Sequence, residues 1–388
     1  MAIDARVSQK AAAMTLIAVA GVSLTSIPAA AHGSTARQPA AADAGVQAVA
    51  APGTPRLPGG LSALSWMVAD ADTGSVLAAK NPHRKLPPAS TLKTLFAVTV
   101  LPKFPSGTVR RVSSGDLAGI GSGSSVVGVK EGRRYTVADL WRGVFLRSGN
   151  DAVHVLAAMN GGWRATAQEM QETAGKLGAR DTTVKSPDGY DAPGQVSSAY
   201  DLTVFARAGL VNDDFARYCA TARAAFPGSG GTLIENTNRL LVGSHGLSRY
   251  PGIIGVKNGY TSKAGNTLIA AARRNGRTLL VTVLNPQSNE NNAVYKEAGS
   301  LLDWGFDTAG KAQPVGTLHA VRTPDDGGAP LRPVAAEITG AGARGGPPTR
   351  STLVLGAGGA GVAAIGLGAL LGRWRQARGR RRQGGGAA

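Results

Sequence analysis

Residues 252–284 read GIIGVKNGYTSKAGNTLIAAARRNGRTLLVTVL, and this stretch decides the fold. It contains three β-like apolar runs, Gly252 to Val256, Thr267 to Ala272 and Thr278 to Leu284, broken by Asn, Gly and Arg. Near the other end, Ala63 to Ala79 holds two more apolar runs around Asp70, Ala71, Asp72, Thr73 and Gly74, a hairpin signal. Between them the period changes to that of helices. A helix starts near Ser90, and Thr136 to Leu146, Asp151 to Met159, Trp163 to Leu177 and Tyr200 to Leu210 are further helical stretches. Strands early and late with helices between predict an α+β fold: an antiparallel sheet flanked by helices, with an inserted all-helical lobe.

The flanks of this region have a different character. Residues 1–31 begin with Arg6 and Lys10, continue uncharged from Ala11, and end with Ala29 and Ala31 in an A-x-A pattern, which predicts a signal peptide. Residues 351–372 carry no charge, and six arginines follow in 373–388. An uncharged span of that length with a one-sided basic flank predicts a transmembrane helix and a basic cytoplasmic tail. Residues 32–58 and 313–350, rich in Ala, Gly and Pro, are expected to be linkers, which leaves 59–312 as one globular domain. The expected location is the cell membrane, with a single C-terminal anchor and the globular domain outside.

The chain has 388 residues and a net charge of +18. That charge alone would suit a nucleic-acid binder. However, the basic residues are scattered, with no run longer than a pair between Arg56 and Gln313, so no nucleic acid is expected as partner. Cys219 is the single cysteine; no disulfide can form within the chain, and no Cys/His cluster has zinc spacing. No cofactor or metal is suggested.

Three short elements carry chemistry. Ser90, Thr91, Leu92 and Lys93 form S-x-x-K at a helix start, where one turn brings the amine beside the hydroxyl. A serine needs a base to take its proton, and a desolvated lysine can be neutral enough to act as one. Ser148, Gly149 and Asn150 lie where one helix stops and another begins, a place where a hydroxyl and an amide can relay a proton and hold a carbonyl. Lys257 ends an apolar strand and is followed by Asn258 and Gly259; the lysine offers positive charge to a carboxylate, and the glycine allows backbone to approach a substrate. Each element alone is a weak signal, since Ser, Gly and Asn favour ordinary turns and K-x-G recurs at Lys130, Lys176 and Lys263.

Their order and spacing, 58 residues from Ser90 to Ser148 and 109 from there to Lys257, resemble the low-molecular-mass D-alanyl-D-alanine carboxypeptidases, which are penicillin-binding proteins of peptidase family S11. Flanking stretches are similar too: Pro88 and Ala89; Asn150 to Ala152; Ser186 to Tyr190 with Ser197 to Leu202; Asn236 to Leu241; and Gly255 to Gly265. The resemblance implies the β-lactamase/transpeptidase-like fold and a serine acyl-enzyme. Ser90 would attack the bond between the terminal D-alanines of a peptidoglycan stem peptide, and Lys93 would take its proton. The Ser90 and Tyr260 backbone amides would form the oxyanion hole. Ser148, aided by Lys257, would protonate the leaving amine, and Asn150 would bind the acyl chain, with Asn258 and Gly259 beside the substrate. β-Lactams would be covalent inhibitors. One departure stands out, because Asn258 occupies the position of the usual threonine of K-T-G, so a carboxylate-binding hydroxyl becomes an amide. Two alternatives are a class A-like β-lactamase, which would need an E-x-x-L-N stretch that neither Glu169 nor Glu172 begins, and a non-catalytic membrane-tethered peptidoglycan binder of the same fold.

Overall fold

The computed structural model describes residues 45–48, 53–227, 231–308 and 310–319. The chain divides into two compact units, Met1–Val334 and Ala335–Ala388, and every described residue lies in the first. The expected signal peptide, the transmembrane span 351–372 and the basic tail lie outside the described residues. Among those described, no helix is long and apolar enough to cross a membrane.

Eleven strands and eight α-helices follow in chain order among the described residues. Strand β1 (Val46–Ala48) precedes β2 (Ala63–Asp70) and β3 (Ser75–Lys80). Next come α1 (Lys93–Val100), the short pair β4 (Val109–Arg111) and β5 (Arg134–Thr136), and helices α2 (Val137–Arg147), α3 (Asn150–Met159), α4 (Trp163–Lys176), α5 (Ala199–Leu210) and α6 (Asp213–Ala220). A second short pair, β6 (Arg223–Ala225) and β7 (Leu233–Glu235), leads through α7 (Arg239–Val242) to β8 (Ile253–Thr261), β9 (Gly265–Arg274) and β10 (Arg277–Pro286). The last elements are α8 (Ala293–Thr308) and β11 (Gly316–Thr317).

The main sheet runs β1-β3-β2-β10-β9-β8 and is antiparallel throughout. This arrangement joins the early hairpin to the late strands, as the sequence predicts, with β2 paired to β10. The two-residue period of a strand sends alternate side chains to opposite faces. Leu279, Val281 and Val283 of β10 therefore join Trp66 and Val68 in the core under α8. Leu280 and Leu284 join Met67 and Ala69 in the larger core under α1 and α5. Burial on both faces explains why β10 reads as a continuous apolar run with no polar alternation.

Three expectations need correction. Val46–Ala48 and Gly316–Thr317 fall in the stretches assigned to linkers, 32–58 and 313–350, yet both pair with β3. Trp304 Nε1 also donates to Pro55 O at 3.0 Å. The third concerns Lys257, which was expected to end its strand but lies inside β8, which continues to Thr261. In addition, α6 and α8 form where the sequence reading assigned no helix.

Candidate active site

The first motif sits on a tight turn. Ala89–Leu92 is a single 3-10 turn, and the α-helix proper begins only at Lys93. Pro88 O accepts from Thr91 Oγ1 at 2.5 Å and from Thr267 Oγ1 at 3.1 Å, which fastens the turn to β9. Ala89 is held at φ +49°, a left-handed conformation that an alanine adopts only under local constraint. Its carbonyl lies so close to Gly189 that a Cβ on that glycine would come within 2.1 Å of the oxygen.

Lys93 Nζ donates to Ser90 Oγ at 2.8 Å and to Asp188 O at 2.5 Å. Only 1% of Lys93 is exposed. Burial of the ammonium pulls its pKa down to about 8, against the opposing pull of the Asp188 and Asp151 carboxylates. In the neutral form the Lys93 amine has a lone pair, and across the same 2.8 Å it can accept the Ser90 proton.

The second motif is a corner between two helices. Thr136 and Asp139 form a reciprocal capping box that starts α2, and the helix stops at Ser148, whose φ is +56°. Gly149 then opens α3. The corner is braced by Asp151, whose carboxylate accepts from the backbone N–H groups of Val127, Gly128 and Val129 at 2.8–2.9 Å. Ser148 Oγ is buried and has no hydrogen-bond partner among the described residues; the same holds for Asn150 Oδ1. Asn150 Nδ2 donates to Asp188 Oδ2 at 2.8 Å and to Ser124 Oγ at 3.1 Å. An ionised carboxylate only accepts, so Asp188 fixes which way the Asn150 amide faces. The carbonyl oxygen is left unpartnered, free to accept an N–H from a bound acyl chain.

The third motif lies along β8, the free edge of the sheet. Lys257 is 1% exposed, and its Nζ donates to Asn258 O at 2.8 Å. Burial holds its pKa well below the ordinary lysine range, and the charge of Lys93 pushes it the same way. Gly259 faces the nucleophile turn so closely that a Cβ there would lie 2.6 Å from Thr267 Oγ1 and 2.7 Å from Ser90 N. Asn258 Oδ1 accepts from Thr237 Oγ1 at 3.0 Å, which leaves the Asn258 NH2 as a donor. Tyr260 follows on β8 with an exposed side chain.

Ser90 and Lys93 are thus in direct contact, Gly259 abuts Ser90, and Lys257 is near enough to Lys93 for the two charges to oppose each other. No polar contact links Ser148 to Ser90 or Lys93 among the described residues. Sequence reading did not single out Asp188. It touches both motifs, through its carbonyl to Lys93 and through its carboxylate to Asn150, and is itself held by Ser186 Oγ at 2.8 Å and Tyr190 N at 3.0 Å. The only available signal was its place in the flanking stretch Ser186 to Tyr190.

A serine and a lysine one turn apart, with a second buried lysine and an asparagine, at the edge of an antiparallel sheet that carries a helical lobe, define the penicillin-binding class of serine hydrolases. The profile of the Peptidase S11 family, D-alanyl-D-alanine carboxypeptidase, matches residues 49–288. The sequence is 40% identical over 269 residues to the D-alanyl-D-alanine carboxypeptidase DacB2 of Mycobacterium tuberculosis, covering 68% of this chain and 88% of that one. It is 35% identical over 253 residues to DacD of Escherichia coli, a match that spans 62% of each chain, less than two thirds of that relative's length. Among solved structures, a D-alanyl-D-alanine carboxypeptidase from M. tuberculosis aligns with a TM-score of 0.63 and 39% identity, covering 70% of this chain and 100% of that one. Penicillin binding protein 6B from E. coli gives 0.59 and 33%, covering 67% and 81%. The chain belongs to the Peptidase S11 family and is a serine-type D-alanyl-D-alanine carboxypeptidase, a cell-wall hydrolase.

Proposed function

We propose that Ser90 is the nucleophile that removes the terminal D-alanine from peptidoglycan stem pentapeptides. Neutral Lys93 accepts the Ser90 proton as the hydroxyl oxygen attacks the carbonyl between the two D-alanines. The Ser90 and Tyr260 backbone N–H groups stabilise the oxyanion, and the tight approach of Gly259 to Ser90 keeps those donors close together. Ser148, assisted by Lys257, hands a proton to the departing amine, and Asn150 Oδ1 accepts from the acyl chain. Water then hydrolyses the ester on Ser90. The observation that carries this reading is the 2.8 Å contact between Lys93 Nζ and Ser90 Oγ, in a site where burial lowers the lysine to about 8.

We further propose that the catalytic part works outside the cell, exported by residues 1–31 and held at the membrane through 351–372. The support is the A-x-A ending of the first stretch, and the uncharged second stretch followed by arginines. β-Lactams acylate the same serine. Mass spectrometry of the intact protein after benzylpenicillin tests the nucleophile: one adduct on the wild type and none on Ser90→Ala is expected. An adduct that persists in the variant sinks the assignment. Release of D-alanine from a pentapeptide tests the activity.

A further inference from the structure

Beside β8 lies a cavity of about 440 Å³, within the size range of small-molecule sites. Its lining includes Asn258, Gly259 and Tyr260 from β8, Thr237 from the segment before α7, Arg239 from the start of α7, and Arg147 from the end of α2. Through Gly259 it adjoins the Ser90 turn.

The charges around the cavity are unequal in availability. Its one acidic lining residue, Glu235, is paired with Arg223. The Arg239 guanidinium donates to Asn292 Oδ1 and lies over the Tyr295 ring, 5.5 Å from the centroid. Lys257 turns its amine to a backbone carbonyl, and Asn258 offers only a neutral amide. The exposed Arg147 side chain has no ion pair or hydrogen bond among the described residues. A guanidinium keeps its charge at any working pH and presents a planar fork that matches a carboxylate.

We propose that Arg147 is a specificity-determining residue. Its guanidinium pairs with the free carboxylate of the substrate's C-terminal residue from the α2 side, while Asn258 Nδ2 donates from β8, where a threonine hydroxyl is missing. The inference rests on the carboxypeptidase reading above. The plain alternative is that Arg147 merely compensates the dipole at the C-terminus of α2. That role affects stability and is blind to the end of the substrate.

The test compares kcat/KM for two peptides that differ only at the end, one finishing in D-alanyl-D-alanine and the other in D-alanyl-D-alaninamide, on the full chain. The wild type is expected to favour the free acid strongly. Arg147→Ala is expected to lose about 10- to 100-fold on the acid, the worth of a charged hydrogen-bonded pair, with the amide nearly unchanged. Arg147→Lys should recover part of the preference. If Arg147→Ala keeps the wild-type preference, or slows both peptides equally, the inference is overturned. If the wild type itself releases nothing from either peptide, the carboxypeptidase reading fails first and takes the inference with it, and the wild-type arm alone reveals that.

Discussion

In the proposed mechanism, two buried lysines set the conditions under which Ser90 can react. An ammonium is the wrong partner for a hydroxyl that must lose a proton, and burial moves Lys93 to about 8. The base form prevails above that value, so kcat/KM should climb with pH and bend near 8; a profile flat from pH 6 to 10 would remove Lys93 as the base. A second prediction concerns Asp188. In Asp188→Asn an amide NH2 can turn toward Asn150 Nδ2, donor against donor, and the Asn150 amide is released to flip. The peptide's KM should rise about tenfold with a smaller change in kcat, because the contact proposed between Asn150 and the acyl chain would be made before and during reaction alike. Rescue by Asp188→Glu, or an unchanged KM in Asp188→Asn, distinguishes a positioning role from a passive one. Ser90, Lys93 and the other motif residues were legible because their chemistry is tied to short local spacing. Asp188 was not, since it lies 95 residues from Lys93 and 38 from Asn150 and locally resembles any turn aspartate.

At the scale of elements, helix α5 carries a buried acid in its first turn. Asp201 Oδ2 accepts from Asp181 N at 2.8 Å and Thr182 Oγ1 at 2.7 Å, whereas its Oδ1 is buried and has no partner among the described residues. Burial raises its pKa from 3.8 to about 6; the Thr182 bond opposes this, and the Asp181 carboxylate adds to it. The folded protein therefore holds this proton where the unfolded chain has released it. The linked contribution to stability falls as pH rises from about 4 to about 6 and is constant above, a loss of about 3 kcal/mol. Asp201→Asn cannot titrate, so the difference between wild-type and variant unfolding free energies should drift through that window and then level off. A constant difference refutes the account. The helices around the first two motifs and the strands on either side were readable from their periods. The edge strands β1 and β11 were not, because edge pairing uses backbone groups and asks little of the side chains.

For the molecule as a whole, Arg207 joins distant segments. From α5 its Nε donates to Ala71 O at 2.8 Å and its Nη2 to Asp72 O at 3.3 Å, both in the turn between β2 and β3. Its Nη1 reaches His319 O, just past β11, at 3.2 Å. Arg207→Met keeps the packing stem but strands the buried Ala71 carbonyl and removes two part-buried bonds, and should cost about 2 kcal/mol in urea unfolding. A loss below about 0.5 kcal/mol would show that water or neighbouring groups replace it.

The outer side of β3 is shared by β1 and β11, while Ser90 meets the opposite margin at β8. Five strand spacings separate the two margins, about 24 Å. His319, just past β11, therefore stands on the side remote from the nucleophile. A label attached at the exposed Val46 or Thr317 therefore sits on the far margin and leaves the reactive rim untouched, much as a blade is marked along its spine so that the whole cutting side stays clear.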